Sequence, residues 1–501
     1  MMNTREEGLI GSLFILYRIG YDADVIEEAV EGALFYMKKM AIVLAAGQGK
    51  RMKSKLYKVL HPVCGKPMVS HVLDAVKQAS CERSVIIVGH GAEAVRTTLG
   101  DSVEYAFQAE QLGTGHAVMQ AKDLLGQEDG VTVVICGDTP LVRTETIEAM
   151  IAQHTAQGAA ATVLTTVFPD PSGYGRVVRG KYGDVERIVE HKDCNPEEAA
   201  VREINTGTYC FDNRKLFAAL ELVTNSNAQG EYYLTDVVGI LKAQGERVGA
   251  SVISDIAEAI GVNDRVALGE AERLMRLRIN QWHQLNGVTI IDAANTYIGA
   301  DVTIGEDTVL HPGTILRGNT SIGSDCVIGP GAELTDTVVG SGATIRHSVS
   351  ENAQVGDDCN VGPFAYLRPG TKLGNNVKIG DFVEIKNAVI GENSKVPHLS
   401  YVGDAVVGTG VNIGCGAITA NYDGYNKSVT EIGDDVFIGS NANLIAPVKI
   451  GNGAYVVAGS TITHNVADND LAIARERQVN KPGYADKLRA RAKAKKERGS
   501  E

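Results

Sequence analysis

A repeat of six residues between Ile298 and about Ile462 limits how this chain can fold more than any other feature. An aliphatic residue recurs at every sixth position and is usually followed by Gly, with a one-residue shift near Val339. A period of six fits neither the 3.6-residue turn of a helix nor the two-residue alternation of a strand. It is typical of a parallel β-helix of hexapeptide repeats, with Gly at corners where a β-carbon is disfavoured. Its regularity argues against a Gly-rich β-sandwich.

The composition excludes several classes of protein. A chain of 501 residues is long enough for two or three domains. Its formal net charge of −13 argues against nucleic-acid binding, so phosphorylated ligands would need local basic pockets. The eight cysteines include no CxxC pair, which indicates neither a disulfide framework nor a zinc knuckle. A reducing cytoplasm is the simplest location.

The N-terminal segment 1–39 carries no recognisable chemistry. The apolar run at 13–17 is too short to cross a bilayer, and acidic residues before it disfavour a signal peptide. Residues 23–37 could form an amphipathic helix. Two interpretations stay open, a helix that contacts a partner and an upstream start codon. Met40 opens an apolar strand, so we predict that the first ordinary domain begins there.

A Gly-containing loop follows the first predicted strand. Residues 41–44 are continuously apolar, as in a strand covered on both faces. The following Gly47-Gln48-Gly49 would let a nucleotide approach the backbone, and Arg51 and Lys58 could hold its phosphates. The loop is neither the dinucleotide fingerprint, which needs a third Gly, nor a Walker loop, which needs Gly-Lys-Ser/Thr.

An acidic residue follows another predicted strand. Strands are predicted at 84–88 and 131–135, and the second leads into Asp138. The carboxyl ends of parallel strands are where α/β sheets bind ligands. Mg²⁺ prefers one or two carboxylates together with substrate phosphate oxygens, so Asp138 is a candidate ligand. The alternative is that Asp138 caps the next helix, and the spacing leaves both interpretations open.

Longer motifs resemble one enzyme family. The motifs are LAAGQGKRM at 44–52, QAEQLGTGHA at 108–117, GYGR at 173–176, EHKD at 190–193, EINTG at 203–207, GEYY at 230–233 and GVND at 261–264. With the repeat, they resemble the bacterial enzymes that combine an N-acetylglucosamine-1-phosphate uridylyltransferase with a glucosamine-1-phosphate acetyltransferase. The resemblance covers Met40 to about Asn480. It implies an α/β nucleotidyltransferase domain with a Rossmann-like mixed sheet, followed by a left-handed parallel β-helix of hexapeptide repeats.

The resemblance also implies two reactions. Acetyl-CoA acetylates glucosamine 1-phosphate, and UTP then transfers uridylyl to N-acetylglucosamine 1-phosphate with release of pyrophosphate. The product feeds peptidoglycan and other cell-envelope polysaccharides, including lipid A. The implied cofactor is Mg²⁺, and the implied form is a cytoplasmic homotrimer that binds neither nucleic acid nor membrane. The expected segments are an extension at 1–39, a uridylyltransferase domain at 40–263, a helical linker at 264–287, an acetyltransferase β-helix at 288–480 and a basic tail at 481–501.

The resemblance assigns roles to residues of the first domain. The uracil and ribose end would contact Leu44, Ala45, Ala46, Gly47, Gln108, Gly113 and Thr114. Phosphates would contact Arg51 and Lys58, and Mg²⁺ would be held by Asp138 and Asn263. The sugar would contact Gly175, Glu190 and Asn205.

Reactive residue types interrupt the plain repeat at 394–404. His398 lies there, and histidine is the usual general base near neutral pH, although a histidine on a β-helix is more often only a surface residue. Arg368 and Lys386 are separated by one full coil of the repeat and can form a phosphate clamp. The polar stretch 420–427 is predicted to protrude as a loop.

The resemblance assigns the second site as well. His398 would be the base that deprotonates the amine. Glucosamine 1-phosphate would contact Arg368, Lys386, Tyr401 and Asn412. Acetyl-CoA would contact Cys415, Asn421, Tyr422, Ser440, Ala458 and Arg475. In the family the protruding loop completes the site of a neighbour in a trimer.

Four residues depart from the family pattern. Lys50 stands where Thr is usual. It could add a cation that tightens UTP binding or point to solvent, and solvent is the expectation. Cys136 replaces an aromatic residue in some members and is expected only to line the pocket. Pro397 precedes the candidate base and suits an extended strand. Cys415 replaces Ala in many members. A thiol beside a thioester allows a two-step transfer, but its own motif contains no base to activate it, so direct transfer is predicted.

Two other functions compete with this interpretation. One is a nucleotidyltransferase with a single activity and a β-helix that only mediates assembly, and the other is a zinc-binding β-helix hydratase. The histidines of the repeat show no paired spacing, which disfavours the second. Between the domains, residues 264–285 are predicted to form a spacer helix that Asn286-Gly287 ends. The alternative is a last helix packed on the first domain, and the two interpretations are compatible. The basic segment 487–496 is predicted to be a solvated helix or disordered.

Overall fold

The structure is a computed structural model that describes residues 37–181 and 183–498. The chain divides into two compact units, the first ending at Ile279 and the second beginning at Asn280. The helix predicted within 23–37 lies almost wholly outside the described residues. The helix predicted at 264–285 is present as Arg265–Leu285 and contains the division between the units.

A mixed β-sheet forms the first unit. Its main path runs in the order Val248–Val252, Ala161–Val167, Glu203–Asp212, Val131–Cys136, Lys39–Leu44, Arg83–Val88 and Glu104–Phe107, and Arg176–Arg179 and Val185–Val189 extend it from Glu203–Asp212. Strand Lys39–Leu44 pairs in parallel with both of its neighbours, whereas Glu203–Asp212 is antiparallel to both of its neighbours on the main path. The predicted Rossmann-like mixed sheet is confirmed.

Helices cover both faces of this sheet. Residues of strand Lys39–Leu44 alternate between two hydrophobic clusters, since Ile42 packs in one and Val43 in the other, and both are fully buried. The α-helices of the unit are Met68–Gln78, Ala92–Leu99, Thr114–Met119, Lys122–Leu125, Thr144–Ala156, Pro196–Ala199, Asn213–Leu220, Thr235–Ala243 and most of Arg265–Leu285. Short 3₁₀ turns are Lys50–Met52, Lys58–Leu60, His191–Asp193 and Ile256–Ala259, and Pro62–Val63 pairs with Lys66–Pro67. A continuously apolar strand therefore lies at the centre of the unit, as its sequence indicates.

The register of the central strands sets where a ligand can bind. Leu44 and Cys136 end adjacent parallel strands and are paired, and the Gly137 amide donates to the Leu44 carbonyl at 2.9 Å. The loops that follow these two strands, which contain Gly47 and Asp138, therefore leave the sheet side by side. This edge is the ligand-binding edge of an α/β sheet.

Three parallel sheets form the second unit. The first face contains Thr289–Ile290, Val309–Leu310, Val327–Ile328, Thr344–Ile345, Asn360–Val361, Lys378–Asp381, Lys395–His398, Asn412–Ile413, Phe437–Ile438, Tyr455–Val456 and Leu471–Ala472. The second face contains Tyr297–Ile298, Ile315–Arg317, Glu333–Thr335, Val349–Glu351, Tyr366–Leu367, Glu384–Lys386, Tyr401–Gly403, Ile418–Ala420, Asn443–Ile445 and Thr461–Ile462. The third face contains Thr303–Ile304, Ser321–Ile322, Val338–Val339, Gln354–Val355, Lys372–Leu373, Val389–Ile390, Ala405–Val407, Thr430–Ile432 and Val448–Ile450. From Thr289–Ile290 to Thr461–Ile462, consecutive strands of the chain visit the three faces in turn.

The aliphatic repeat fills the interior of this unit. On the first face, Leu310, Ile328, Ile345 and Val361 pair with one another on successive coils, and each is fully buried. Every coil thus places one aliphatic side chain per face inside, which is what a period of six requires. The predicted parallel β-helix of hexapeptide repeats is confirmed.

Residues 421–429 interrupt the coils between Ile418–Ala420 and Thr430–Ile432. A β-bridge joins Tyr422 to Lys427, and Tyr425 at the tip is 92% exposed. The segment is too polar to fill a coil interior, and it stands outside the three faces.

The ends of the second unit are helical. At the end of Arg265–Leu285, Gly287 adopts a φ of 88°, which favours Gly, and the Val288 amide donates back to the His283 carbonyl at 3.0 Å. The basic C-terminal segment forms the helix Tyr484–Arg498, whose residues are all exposed. Across the part of the chain that the structure describes, no helix combines the length and apolarity needed to span a bilayer.

His154 makes the stability of the first unit depend on pH. Burial lowers the pKa of His154 to about 4 from 6.5, and its Nδ1 lies 3.0 Å from Thr162 Oγ1. The unfolded chain then binds more protons, so stability is complete above pH 6.5 and falls as the pH drops towards 4. One pH unit corresponds to about 1.4 kcal/mol, so at pH 4.5 the parent chain should have lost about 2–3 kcal/mol of its free energy of unfolding through His154. The His154→Gln variant should not show this part of the loss. Urea unfolding of the parent chain and the variant at pH 7.5 and pH 4.5 measures these free energies. An equal loss of stability in the two proteins would contradict the prediction.

Candidate functional site

Two adjoining cavities lie at the ligand-binding edge of the first unit. The first has a volume of about 350 Å³ and is lined by Gly47, Gln48, Gly49, Lys50, Arg51, Lys58 and Asn263. The second has a volume of about 250 Å³ and is lined by Leu44, Ala46, Gly47, Lys58, Val59, Gln108, Gln111, Gly113, Thr114, Ala117, Cys136, Asp138 and Glu231. Both contain Gly47 and Lys58. The first cavity is lined by basic side chains, and the second by apolar, polar and charged residues together. A nucleotide, which has a charged phosphate end and an uncharged base end, would need such a pair of cavities.

Gly49 brings Lys58 against the loop. Its φ is 62°, and a β-carbon there would lie 2.6 Å from the Lys58 β-carbon. A larger residue would therefore push Lys58 away from the cavity. Lys50 lines the same cavity and is exposed to solvent, which is compatible with both of its predicted orientations.

Lys58 joins the two predicted magnesium ligands. Its Nζ pairs with Asp138 Oδ2 and donates to Asn263 Oδ1 at 2.7 Å, while Arg51 Nη2 donates to the same Asn263 oxygen at 2.8 Å. Four predicted residues from distant parts of the chain thus meet at one point. The following helix Thr144–Ala156 begins after Arg143 and has no side-chain cap, so the alternative role of Asp138 as a cap is wrong.

The two oxygens fit a divalent cation. Asp138 and Asn263 both contact a single ammonium group, which shows that their oxygens converge on one cationic position. Carboxylate and amide oxygens are ligands that Mg²⁺ accepts, with water and substrate phosphate completing its shell. Within 37–181 and 183–498, no group of three His, Cys, Asp or Glu side chains could hold a metal ion.

The second cavity contains the residues predicted for the uridine end. Gln108 Nε2 lies 3.2 Å from the Gly113 carbonyl and 3.1 Å from His116 Nδ1. The Gly115 amide donates to the Tyr232 carbonyl at 2.8 Å, which holds the 113–115 turn against the 230–233 motif. Of the uridine residues, Ala45 lines neither cavity and is buried.

The three predicted sugar residues form a neighbouring cluster outside the two cavities. A β-carbon on Gly175 would lie 3.5 Å from Glu190 Oε1 and 3.6 Å from the Asn205 β-carbon. Burial raises the pKa of Glu190, and Thr235 Oγ1 donates to its carboxylate at 3.4 Å. A half-buried carboxylate with few donors can accept hydrogen bonds from sugar hydroxyl or amide groups.

Several residues that line the two cavities were absent from the predicted site, among them Gln111 and Glu231. Gln111 and Glu231 line the second cavity, and Gln48 Nε2 lies 3.3 Å from Gln111 Oε1. Gln111 belongs to the motif QAEQLGTGHA and Glu231 to the motif GEYY, and both motifs were recognised in the sequence. The motif signal identified the segments, but it could not say which of their side chains face the cavity. Cys136 lines the cavity as expected, and burial raises its pKa to about 12, with Asp138 adding to the effect.

A corner of the β-helix collects predicted residues of the second unit. The corner column, as we call it, comprises Asp381, His398, Cys415, Ser440 and Ala458. Asp381 pairs with His398, and the Gly416 and Asn441 amides donate to the His398 and Cys415 carbonyls at 3.4 and 2.7 Å. These residues occupy successive coils, so segments far apart in sequence are stacked neighbours.

Arg475 lies beside this column. A β-carbon on Gly459, the residue after Ala458, would lie 3.7 Å from Arg475 Cδ, and the Arg475 side chain is exposed. The column therefore extends to the end of the β-helix, and four of the six residues predicted for acetyl-CoA lie on or beside it. The other two, Asn421 and Tyr422, begin the 421–429 loop.

Arg368 and Lys386 lie on adjacent coils, as their spacing predicts. The Arg368 amide donates to the Ile385 carbonyl at 2.8 Å, which sets the two cationic residues side by side. Arg368 Nη1 donates to Glu384 Oε1 at 2.7 Å, and Glu384 pairs with Tyr401 on the next coil. Glu384 was not predicted, and it balances the charge of the clamp.

Tyr401 and Asn412 occupy different faces. A β-carbon on Gly403 would collide with the Tyr401 hydroxyl group, so the Gly makes room for this side chain on the second face. Asn412 lies on the first face and pairs with Lys395. The structure therefore brings Tyr401 near the phosphate clamp and places Asn412 elsewhere on the coil.

A buried carboxylate fastens the protruding loop. Asp404 accepts a hydrogen bond from Asn387 Nδ2 at 2.6 Å and another from Asn421 Nδ2. Although burial acts in the opposite direction, these bonds and the charges of Lys386 and Lys427 hold its pKa below the usual value. The base of the loop is thus tied to the coil that contains Lys386, whereas Tyr422 extends into solvent.

His398 is exposed at the corner and has one carboxylate partner. Its Nδ1 lies 2.7 Å from Asp381 Oδ1. The hydrogen bond with His398 is the main reason that the pKa of Asp381 lies below its usual value. Asp381 was missed by sequence reasoning.

Both units match known families. Residues 40–262 match the family described as nucleotidyl transferase, and 301–336, 352–387 and 430–464 match the bacterial transferase hexapeptide family of six repeats. The matched segments contain the first predicted site apart from Asn263. Of the second predicted site they contain Arg368, Lys386, Ser440 and Ala458, whereas His398 and the other residues predicted between 388 and 429, and Arg475, lie outside them.

Similar curated proteins span nearly the whole chain. A protein of Geobacillus sp. strain WCH70 is 60% identical over 90% of this chain and 98% of its own length. A Geobacillus thermodenitrificans protein is 58% identical over 91% of the chain and 100% of its own length, and a Brevibacillus brevis protein is 60% identical over 90% and 98%. All three carry the name bifunctional protein GlmU. At this identity and coverage, with both domains matched, the chain belongs to the GlmU family of bifunctional transferases.

Proposed function

We propose that this chain makes UDP-N-acetylglucosamine by two reactions at two separate sites. The β-helix acetylates glucosamine 1-phosphate with acetyl-CoA, and the first unit then transfers uridylyl from UTP to the product. The observation that supports this most is a pair of distinct polar sites, one in each unit of a chain 60% identical to a bifunctional relative over its length. Family membership alone would not say that both sites are intact.

In the acetyl transfer, His398 acts as the general base. The amine nitrogen of glucosamine 1-phosphate bonds to the thioester carbon, the C–S bond breaks, and coenzyme A leaves as a thiolate. The amine proton passes to the imidazole of His398. Arg368 and Lys386 hold the sugar phosphate, with Tyr401 and Asn412 as further contacts. Cys415, Asn421, Tyr422, Ser440, Ala458 and Arg475 contact acetyl-CoA.

In the uridylyl transfer, the protein mainly positions two anions. A phosphate oxygen of the sugar phosphate bonds to the α-phosphorus of UTP, and the bond to pyrophosphate breaks. Arg51 and Lys58 neutralise charge, while the uridine end contacts Leu44–Gly47, Gln108, Gly113 and Thr114. Gly175, Glu190 and Asn205 hold the sugar. Positioning and charge neutralisation supply most of the rate in such transfers.

We infer that the metal of this reaction is Mg²⁺, held by Asp138 and Asn263. When bound, it would neutralise phosphate charge as a Lewis acid. Lys58 contacts both oxygens, and its flexible side chain could reach a substrate phosphate from there. Lys58 also lines both cavities, so it lies where the nucleotide and its phosphates would meet.

We infer further that the chain works as a homotrimer in the cytoplasm. The support is the 421–429 loop, which is fastened at its base by Asp404 and exposed at its tip. A rigid base with an exposed aromatic tip suits a contact with another copy of the chain. The domain boundaries at 263, 287 and 480 also remain proposals.

A split assay on the full chain tests the two-site proposal. Glucosamine 1-phosphate and acetyl-CoA are supplied without UTP, and N-acetylglucosamine 1-phosphate and UTP are supplied separately with and without Mg²⁺. We expect product in both reactions, with chelation of Mg²⁺ stopping only the second. Product in the second reaction alone would contradict the proposal and favour the β-helix as an assembly module.

A further inference from the structure

We propose that Asp381 is a positioning residue that orients the imidazole of His398 for proton transfer. The inference rests on the proposed role of His398 as the base. It adds a residue of this chain, outside the predicted site, to the acetyl transfer reaction. The observation is the 2.7 Å contact between His398 Nδ1 and Asp381 Oδ1.

The backbone makes this pair a fixed feature of the coil. Asp381 ends strand Lys378–Asp381, His398 ends strand Lys395–His398, and the two residues pair in the parallel register. The Leu399 amide also donates to the Asp381 carbonyl at 3.0 Å. Both side chains therefore start from adjacent rungs of one corner, unlike two long surface side chains that meet by chance.

The contact determines which ring nitrogen can act as the base. A carboxylate only accepts hydrogen bonds, and the bond with His398 keeps the pKa of Asp381 low, so Nδ1 must carry the hydrogen. In a neutral imidazole the lone pair is then on Nε2. Nε2 is the atom that takes the amine proton, and the Nδ1–H bond becomes charge-assisted once the ring is protonated.

The surroundings of the pair leave Asp381 as the orienting group. The Glu384 carboxylate accepts a hydrogen bond from Arg368 at 2.7 Å, and the Asp404 carboxylate accepts hydrogen bonds from Asn387 and Asn421. Neither acid is the partner that the structure gives to His398. On the other side of His398 along the column stands Cys415, whose thiol is a weak hydrogen-bond partner.

The test compares Asp381→Ala and Asp381→Asn in the acetyl transfer assay. We expect Asp381→Ala to lower kcat roughly 10-fold with both KM values unchanged, by analogy with the carboxylates that orient metal-binding histidines, whose loss typically costs about 10- to 100-fold. Asp381→Asn should recover most of the loss, because its amide oxygen can still accept from Nδ1–H. Glu431→Ala removes another exposed, paired carboxylate of the β-helix and should leave kcat unchanged.

A double variant separates orientation from general damage to the fold. If Asp381 acts only through His398, then Asp381→Ala should cause no further loss in a His398→Ala background. An unchanged kcat in Asp381→Ala, no recovery in Asp381→Asn, or additive losses would each overturn the inference. Uridylyl transfer in the same samples reports folding.

The same assays distinguish failure of the inference from failure of the proposed function. If His398→Ala keeps full acetyl transfer, the proposed base is wrong, and the inference falls with it. If His398→Ala loses activity while Asp381→Ala does not, only the role of Asp381 is wrong.

Discussion

Replacing His398 by Ala is expected to slow acetyl transfer by about 10²–10⁴-fold, the usual contribution of a general base. The side chain is exposed at a corner of the β-helix, so its removal leaves no cavity and should not unfold the coil. Uridylyl transfer depends on residues of the other unit and should be unchanged. The measurement is kcat for each half reaction with the other cosubstrates omitted.

A matched histidine controls for the substitution itself. His311 lies on the first face five coils earlier, one position before the place that corresponds to His398, and His311→Ala should leave acetyl transfer intact. Loss of both activities in His398→Ala without unfolding would contradict the assignment of the two reactions to separate sites.

Cys415 provides a second comparison at the same corner. It lies one coil beyond His398, so a base is nearer to its thiol than its own motif indicates. The prediction of direct transfer therefore needs its own experiment. We expect Cys415→Ala to keep acetyl transfer within a few fold, and trapping of an acetylated Cys415 would show a two-step transfer instead.

Replacing Asp138 by Ala is expected to have the opposite selectivity. Loss of a ligand to Mg²⁺ and of the partner of Lys58 removes several kcal/mol of charge stabilisation, so uridylyl transfer should fall by about 10²-fold or more. Acetyl transfer should persist. Titration of Mg²⁺ in the uridylyl assay measures the effect, because partial recovery at high Mg²⁺ would indicate weakened metal binding.

Two variants sharpen this experiment. Asp138→Asn keeps the shape of the side chain but removes its charge, and Asp123→Ala removes an exposed acid elsewhere in the first unit. We expect Asp138→Asn to resemble Asp138→Ala and Asp123→Ala to resemble the parent chain. Full uridylyl activity in Asp138→Asn would show that the carboxylate is not a metal ligand.

The fold could be predicted because its signals are local. Each aliphatic residue of the repeat reports its own inward position, and the apolar run at 41–44 reports a central strand. The meeting of Lys58, Asp138 and Asn263 is not a local property, since the three residues come from distant loops. Only the resemblance to a family predicted it, and geometry alone would have needed the order of strands in the sheet.

Asp381 shows why counting along the repeat was insufficient. A coil of three complete hexapeptides places Gly380 beside His398, but this coil is one residue shorter, as the pairing of Lys378 with Lys395 shows. The missing residue moves a carboxylate into the position that a complete coil gives to a glycine. Coil lengths depend on how tightly each corner turns, which the aliphatic pattern does not record.

The residues of the corner column are evenly spaced along the axis of the β-helix, one on each coil. Its five residues mark four steps of one strand spacing, which together span about 19 Å. An elongated cosubstrate lying along this corner would contact one residue of the column on each coil. Adding or deleting a whole coil beyond His398 would change the length that the protein accepts in increments of about 4.8 Å, without touching the base or the phosphate clamp.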